Sequence, residues 1–385
     1  MSNQYLQHRI FPLNTASKYE QYTNVDFRLS FPGRKMVANT MRIEGRFNVY
    51  KNSTPDRLSD TDAKSYFDNM VGINAVFQDL TTTTANQGNL ELITEAPRYS
   101  KMVSSAMATV NDMGNSHNSC ELRNRTLVLS NRMMRGEKFD FQADSDIAQN
   151  GMSFSTKPIC CLNSAMSGGS LPEVKYSTTG DITFSVRLAR NEAVFFGSDV
   201  ETARVAGDNY NYDLSELSVV FSSVPDDNQP QMPITLATVL NVRQSIQSTF
   251  SNISVNIPSM SNGCSVSFLK QSEENNYKFN NTRLERPLKV SQVEYLFNDA
   301  TNKYITFNLK SQTEILGRYL DSMGRSKVNN FSTSLIKANE SYGVGIPFNQ
   351  YLDLSVNKFG INITSGISSA EPLVAYLYFH GRIQL

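Results

Sequence analysis

The three histidines are the side chains of this sequence best suited to acid–base or metal chemistry near neutral pH. His8 lies close to the N-terminus, His117 lies in the polar sequence GNSHNSC, and His380 lies in the final apolar stretch LVAYLYFHGRIQL. No two of them have the spacing of paired metal ligands, and neither HExxH nor His-x-His occurs. The pattern therefore predicts three unrelated histidines on strands or at the surface.

The four cysteines are the next candidates, because thiolates act as nucleophiles and as metal ligands. Cys120, Cys160, Cys161 and Cys264 show no CxxC spacing, which disfavours a zinc ribbon or a redox motif. A Cys–His nucleophile would need residues that are distant in the sequence. We expect buried free thiols, which are typical of a reducing compartment, with the adjacent pair facing opposite sides of a strand.

The acidic and glycine-rich segments do not form known ligand motifs. Residues 56–69, DRLSDTDAKSYFDN, lack the glycine and the final glutamate of a calcium-binding EF-hand loop. The SGGS turn at residues 167–170 lacks the Lys-Ser/Thr pair of a phosphate-binding loop, and neither GxSxG nor GxGxxG occurs. The sequence therefore predicts no catalytic, cofactor-binding or metal-binding residue, and no enzymatic activity.

The composition of the 385 residues favours extended strands joined by polar loops, because Asn, Ser and Thr are plentiful. Lys plus Arg and Asp plus Glu number 36 each. The resulting net charge of zero argues against a protein that binds nucleic acid by neutralising phosphates. The N-terminus lacks the apolar core of a signal peptide, and no apolar run approaches the roughly 18 residues of a membrane-spanning helix.

Alternating apolar and polar residues occur throughout the chain, a period of two that is typical of strands burying one face. The segments are VDFRLSF from Val25, MRIEGRFNVY from Met41, TFSVRL from Thr183, LSVVFSSV from Leu217, NISVNI from Asn252, YITFNL from Tyr304 and YLDLSV from Tyr351. Gly45 interrupts the second segment and predicts a bulge. Regular helices do not separate the strands, so we predict an all-β fold, an antiparallel sandwich or barrel.

Two helices interrupt the strands, one in each half of the chain. The first follows Pro97, since proline is favoured in the first turn, and the second follows a Ser-x-x-Glu capping box, Ser311 and Glu314. Gly114 and Gly324, each preceded by Met, are the predicted stops. The apolar residues have helical spacing: Tyr99, Met102, Val103, Ala106, Met107 and Val110 in the first helix, and Ile315, Leu316, Tyr319, Leu320 and Met323 in the second.

The shared order of strands, one helix and further strands predicts two related β domains. The polar segment AGDNYNYD, residues 206–213, marks the predicted boundary. We predict an N-terminal arm at residues 1–20, a first domain at residues 21–210 and a second domain at residues 211–385. The Pro-rich segment PDDNQPQMP, residues 225–233, is a second candidate joint.

Residues 67–102, FDNMVGINAVFQDLTTTTANQGNLELITEAPRYSKM, resemble major capsid proteins of the double jelly-roll lineage, found in tectivirus-like viruses, virophages and polinton-type viruses. In the virophage and polinton branch, a G-x-x-x-x-F strand leads to iE-x-i-x-x-x-PRY-x-K-M and a helix. The matching positions are Gly72, Phe77, Glu91, Ile93, Pro97, Arg98, Tyr99, Lys101 and Met102. Further similar pieces follow in order: KPICCLNSAMSGGSLP, DITFSVRLARNEAVFFG, YDLSELSVVFSSV as the start of a second roll, and the final LVAYLYFHGRIQL.

The resemblance implies two tandem eight-stranded antiparallel jelly rolls with a short helix in each half. It implies a viral major capsid protein, made and assembled inside the host cell, that forms a pseudo-hexameric homotrimer and tiles the icosahedral shell of a virion. The implied partners are neighbouring capsomers, minor capsid and penton proteins, and an internal viral membrane reached by the N-terminal arm, without sequence-specific nucleic acid binding. Zero net charge suits such a tile, because many like-charged copies would repel one another.

In this interpretation both helices are packing elements, and the stripe of the first covers one end or face of roll one. Arg98 either pairs with a carboxylate, reaches a neighbouring subunit or stays solvated.

A jelly roll also supports other functions, so a carbohydrate-binding or viral attachment protein is the alternative. Tyr210 and Tyr212 could stack on a sugar, but the chain has no tryptophan for that purpose. A β-sandwich hydrolase comes third, because the sequence lacks histidine and carboxylate arrangements for catalysis.

Overall fold

The structure is a computed structural model, and it describes the parts of the chain that carry most of the predicted strands. The described residues are 5–51, 71–107, 152–166, 172–194, 210–246, 250–256, 260–274, 276, 290–298, 305–309, 311–322, 343–353, 358–365 and 372–385. His117, Cys120, the acidic segment 56–69, the glycine turn 167–170 and both predicted helix stops lie outside these residues.

Strands dominate the described residues, as the all-β prediction requires. In chain order they are β1 (Leu6–Ile10), β2 (Tyr19–Glu20), β3 (Asn24–Leu29), β4 (Arg34–Lys51), β5 (Phe77–Thr84), β6 (Gly88–Ile93), β7 (Met152–Thr156), β8 (Ala165–Met166), β9 (Glu173–Lys175), β10 (Ile182–Leu188), β11 (Tyr210–Pro225), β12 (Thr235–Ile246), β13 (Phe250–Asn256), β14 (Met260–Lys270), β15 (Val290–Asn298), β16 (Ile305–Leu309), β17 (Val344–Asp353), β18 (Lys358–Ser365) and β19 (Leu373–Gln384).

Both predicted helices are confirmed. They are α1 (Ala96–Met107) and α4 (Gln312–Ser322), and the short helices are α2 (Tyr176–Thr179), α3 (Asn191–Val194) and the 3-10 turns η1 (Gly72–Val76) and η2 (Cys161–Asn163). One of the two bonds of the predicted capping box of α4 is present, since the Ser311 backbone N–H lies 3.4 Å from a Glu314 carboxylate oxygen. Of the predicted stripes, Met102 of α1 and Ile315 and Tyr319 of α4 are buried.

The second half of the chain is a jelly roll. Its eight strands form two antiparallel sheets, β12-β19-β14-β17 and β13-β18-β15-β16. Most consecutive strands therefore alternate between two sheets, which is the jelly-roll arrangement. The sheets face each other across an aromatic core, in which Phe359 of β18 packs edge-on against Phe379 of β19 at 5.7 Å.

The first half is also a sandwich of two antiparallel sheets. One sheet has the order β1-β11-β4-β7, with β2 beside β11 and β9 beside β4, and the other has the order β3-β10-β5-β6. Phe77 of β5 and Phe154 of β7 meet between them with ring centres 6.4 Å apart. The predicted period of two is confirmed in β3, where Val25, Phe27 and Leu29 are all buried.

The boundary between the rolls differs from the predicted position at residue 210. β11 pairs with β4 over most of its length and with β1, so Tyr210–Pro225 completes the first roll and does not begin the second. The Pro-rich candidate joint fits this pairing, because β12 begins after it at Thr235. Two ion pairs hold this joint to the first roll, Lys35–Asp227 at 3.1 Å and Lys175–Asp226 at 2.8 Å.

The predicted N-terminal arm of residues 1–20 is not separate from the first roll where the structure describes it. Leu6–Ile10 forms the edge strand β1, paired antiparallel with β11 from Ser223 to Val219. Tyr19 and Glu20 form β2, which pairs with the same strand. The sequence LQHRI is polar, as expected for an edge strand with one solvated side.

Gly45 lies opposite the bulge that its sequence position predicted, but the extra residue belongs to β11. Ser215 pairs with Arg46 and Ser218 with Glu44, so two residues of β11 face the single residue Gly45. A Cβ atom on Gly45 would lie 2.7 Å from a methyl group of Leu217. Glycine is therefore required here by close approach.

The two rolls stand side by side and share a boundary between β6 and β12. Leu92 and Leu240 form a parallel bridge between these strands, which links the sheet β3-β10-β5-β6 to the sheet β12-β19-β14-β17. The short strand β8 of the first roll also pairs with β12. The side chains at this boundary, called the junction below, hold the two rolls together.

Candidate functional site

Glu91 of β6 is the central carboxyl group of the junction. One carboxylate oxygen accepts a hydrogen bond from the Cys161 backbone N–H at 2.6 Å, and the other accepts one from the Val239 backbone N–H at 3.1 Å. Cys161 belongs to the first roll and Val239 to the second, so one side chain links both. Burial raises the pKa of Glu91 to about 8 even though both backbone donors favour the charged form.

Direct hydrogen bonds between the rolls surround this carboxyl group. The Asn241 side chain accepts from the Thr94 backbone N–H and hydroxyl at 2.9 and 2.6 Å, and donates to the Thr94 carbonyl at 2.8 Å. The Ser164 hydroxyl lies 2.7 Å from the Ala237 carbonyl. These bonds give polar groups of both rolls hydrogen-bond partners across the boundary, as buried polar groups require.

Arg98, at the start of α1, is buried against the last strand of the second roll. Its side chain is 1% exposed, and its guanidinium carbon lies 4.4 Å from the centre of the Tyr376 ring. The solvated alternative for Arg98 is therefore wrong. The Tyr376 hydroxyl donates to Glu274 at 2.5 Å, and Arg243 binds the same carboxylate through two nitrogens.

The charge of Arg98 also reaches Glu95, the residue that precedes α1. Burial raises the pKa of Glu95, and the nearby Arg98 guanidinium opposes this effect. The Tyr378 hydroxyl of β19 donates to the Glu95 carbonyl at 3.2 Å. The predicted packing role of α1 thus includes contact with the second roll, whereas the sequence indicated only an end or face of roll one.

His380 and Ser265 form a buried pair that resembles the nucleophile and base of a hydrolase. Nε2 of His380 lies 2.8 Å from the Ser265 hydroxyl, and Nδ1 lies 3.3 Å from the Tyr99 hydroxyl. Ser265 also lies 2.8 Å from the Ser322 hydroxyl, which itself donates to the Tyr319 carbonyl. These groups come from α1, α4, β14 and β19 and are far apart in the sequence.

The directions of these hydrogen bonds oppose a catalytic role for the pair. The Ser322 proton points to the Tyr319 carbonyl, so the bond between the serines must use the Ser265 proton. His380 therefore donates through Nε2 to Ser265, whereas a general base would accept the proton of its nucleophile. Ser265 is fully buried, and Nδ1 faces a tyrosine where a hydrolase places a carboxylate. The network is a structural link between α1, α4 and the second roll.

The other sequence-level candidates are dispersed. Cys160, Cys161 and Cys264 are buried free thiols, and burial raises the pKa of each. His8 lies on β1, far along the chain from the junction. Within the ranges given above, no group of three His, Cys, Asp or Glu residues is arranged to hold a metal ion. The described helices include none that is long and apolar enough to cross a membrane.

A second surface feature is a cluster of exposed apolar side chains near the N-terminus, called the N-terminal flank. Seven large hydrophobic side chains are exposed among the described residues, and five belong to this flank: Tyr5, Leu6, Phe11, Leu13 and Tyr22. The flank follows the side of roll one on which its two sheets end, at β1 and β3. The Leu13 backbone N–H bonds to the Asp26 carbonyl at 2.8 Å, which holds the connecting segment beside β3.

Comparison with solved structures identifies the arrangement as a whole. PBCV-1 VP54, fitted into a reconstruction of the virophage Sputnik, matches with a TM-score of 0.59 and 10% identity over 100% of this chain and 95% of its own. The Faustovirus major capsid protein matches with a TM-score of 0.58 and 8% identity over 100% and 90%. The chain has the double jelly-roll fold of viral major capsid proteins.

Another double jelly roll, the mavirus major capsid protein, matches with a TM-score of 0.51 and 8% identity over 98% of this chain and 90% of its own. No sequence family and no curated protein matches the chain. The likeness therefore concerns the fold alone.

The motif that carried the sequence resemblance divides between the core of the double jelly roll and its junction. Gly72 begins η1 with a positive φ of 61°, and Phe77, Ile93 and Met102 are core residues. The polar members Glu91, Arg98 and Tyr99 all contact the second roll. The motif thus specifies how roll one attaches to roll two.

Proposed function

We propose that the chain is a viral major capsid protein that assembles as a pseudo-hexameric homotrimer and tiles an icosahedral shell. The observation that carries this proposal is the full-length likeness of this pair of jelly rolls to viral major capsid proteins. Three such pairs give six similar units around an axis, a shape that packs side by side in a shell. The location is the capsid of the virion, and the role is structural, without enzymatic activity.

The N-terminal flank supports self-association. Phe11 is 64% exposed and Leu13 is 59% exposed, and both lie close to β1 and β3, the end strands of the two sheets in the part of the chain that the structure describes. Apolar side chains clustered beside sheet edges are a liability in a monomer and are typical of a surface that another chain covers. We propose a second copy of this chain as the occupant. Neighbouring capsomers, minor capsid and penton proteins, and an internal membrane contacted by the first residues are further proposed partners.

Light scattering after gel filtration tests the assembly. We expect the purified chain to have a mass close to three times 43.1 kDa, and negative-stain images should show pseudo-hexagonal particles. The double substitution Phe11→Asp and Leu13→Asp should give folded monomers, because both side chains are exposed and charge opposes apolar contact. Met232→Asp is the matched control, since Met232 is 71% exposed but lies in the joint between the rolls. A wild-type monomer that binds glycans would favour the carbohydrate-binding alternative and overturn this proposal.

A further inference from the structure

A single hydroxyl group connects the edge strand β1 to the cationic side chain of Arg34. Nε2 of His8 lies 2.7 Å from the Ser223 hydroxyl oxygen, and Nε of Arg34 donates to the same oxygen at 2.6 Å. Arg34 also donates to the Ser223 carbonyl at 3.2 Å. The His8 ring stacks on Phe221, with ring centres 4.8 Å apart and an angle of 10° between the planes.

This geometry selects the neutral form of His8. The Ser223 oxygen accepts the Arg34 proton, so its own proton is available for His8, and Nε2 is then the acceptor. A protonated His8 would require the same oxygen to accept from two cations, and the Ser223 proton would lose its acceptor. It would also hold two positive charges within reach of one hydroxyl group, which is unfavourable in a partly buried site.

We propose that β1 is an acid-released strand, in which protonation of His8 beside Arg34 detaches Leu6–Ile10 from β11. The partial burial of His8 and the charge of Arg34 both lower the pKa of His8 from its ordinary value of 6.5. Because the pKa is lowered in the folded state, the contribution of neutral His8 to the stability of the paired strand is complete above pH 6.5 and is lost as the pH falls.

The groups that face His8 from the packed strands support this proposal. β11 presents the Ser223 hydroxyl and the Phe221 ring, and β4 presents the Arg34 guanidinium. The nearest carboxylate contact of β1 belongs to Arg9, whose guanidinium lies 2.7 Å from Glu44. Neighbouring residues of a strand point to opposite faces, so Glu44 does not face the His8 ring.

β1 is the element that responds because it is short and weakly held. It has five residues and lies at the end of its sheet, where its described strand partner is β11 alone. Apart from backbone pairing, His8 and the partly buried Ile10 hold one of its faces, and the bonds from Arg9 to Glu44 and Ser218 hold the other. Short edge strands open locally at low free-energy cost, so the loss of the His8 hydrogen bond shifts the equilibrium between paired and detached β1.

Hydrogen–deuterium exchange at pH 7.5 and pH 5.5 tests the proposal, with each rate corrected for the intrinsic pH dependence of exchange. We expect protection of the peptides that cover Leu6–Ile10 to fall several-fold at the lower pH, because the detached strand binds a proton that the paired strand disfavours. Peptides from β19, at the centre of its sheet, should keep their protection. Light scattering at both pH values reports the oligomeric state separately, so failure of the proposed assembly does not affect the interpretation of the exchange rates of β1.

Two variants connect the effect to His8. His8→Phe keeps an aromatic ring for the Phe221 stack but cannot be protonated, so its protection should be equal at both pH values. Arg34→Gln removes the opposing charge and should shrink the pH effect. Equal protection of wild-type β1 at both pH values would overturn the proposal, as would an unchanged pH response in His8→Phe.

Discussion

Replacement of Glu91 by glutamine should make the free energy of unfolding less sensitive to pH. The substitution should destabilise the protein in acid and stabilise it in alkali. Glutamine has nearly the size of protonated glutamic acid and carries no charge. It offers one oxygen to the Cys161 and Val239 N–H groups, where the carboxyl group offers two. One buried donor is then left without its acceptor, which costs about 1–3 kcal/mol at any pH.

The charge of Glu91 has the opposite effect, because its removal avoids the cost of burying an ionised carboxylate at high pH. The pKa of Glu91 is about 8 in the folded protein, against an ordinary value of 4.5. A difference of this size corresponds to roughly 5 kcal/mol of stability. Because the pKa is raised on folding, this contribution is fully present below pH 4.5 and is lost as the pH rises to 8. The glutamine variant should therefore be less stable than wild type at pH 5 and more stable at pH 9.

Urea unfolding followed by far-ultraviolet circular dichroism, at intervals between pH 5 and pH 9, measures this crossing. The chain has no tryptophan, so circular dichroism is preferable to fluorescence. Glu20→Gln is the matched control, because Glu20 is an exposed strand residue and its replacement should give parallel curves. If Glu91→Gln is less stable than wild type by the same amount at every pH, the two backbone donors fully compensate the buried charge, and the reasoning fails.

Four further substitutions test other contacts. Gly343→Ala should abolish soluble folded protein, since its Cβ atom would lie 1.7 Å from the Val266 carbonyl oxygen. Gly317→Ala should instead stabilise the protein by about 0.5–1 kcal/mol, because the new Cβ atom on α4 meets nothing within 4 Å. Equal melting temperatures of both variants and the wild type would contradict both expectations. Tyr99→Phe removes the donor to His380 and should cost about 1–3 kcal/mol in urea unfolding, and no loss would indicate a dispensable bond. Asn241→Leu, which removes three bonds to Thr94, should destabilise by a few kcal/mol; calorimetry should show the second roll unfolding earlier, and an unchanged profile would argue against the junction.

The local patterns of the sequence predicted the elements well, because each depends on neighbouring residues. The alternation in β3 and the bond from the Ser311 backbone N–H to Glu314 at the start of α4 are short-range features, and the structure has both. The strand pattern of LSELSVVF was also sound, but its pairing partner lies in residues 34–51. The periodicity of apolar residues and the turn residues carry no information about a partner so distant in the sequence. The predicted boundary between the rolls, at residue 210, therefore lies too early in the chain.

The junction could be predicted only in part. The resemblance singled out Glu91, Arg98 and Tyr99, but their contacts Val239, Tyr376 and His380 are about 150 to 280 residues away in the sequence. The helix stripe indicated that Tyr99 packs inward without showing which roll supplies the surface. β1 was missed as a strand, because LQHRI has little apolar character and its strand form depends on the edge that β11 provides.

The pairing of β1 with β11 has a consequence for the order in which the chain can become ordered on the ribosome. Leu6–Ile10 leaves the exit tunnel more than 200 residues before its partner Val219–Ser223. Likewise, β19 lies between β12 and β14, so this sheet of the second roll stays incomplete until β19 has emerged. Many apolar strands therefore stay unpaired during much of synthesis and could associate with wrong partners. We expect the nascent chain to bind chaperones that shield such strands.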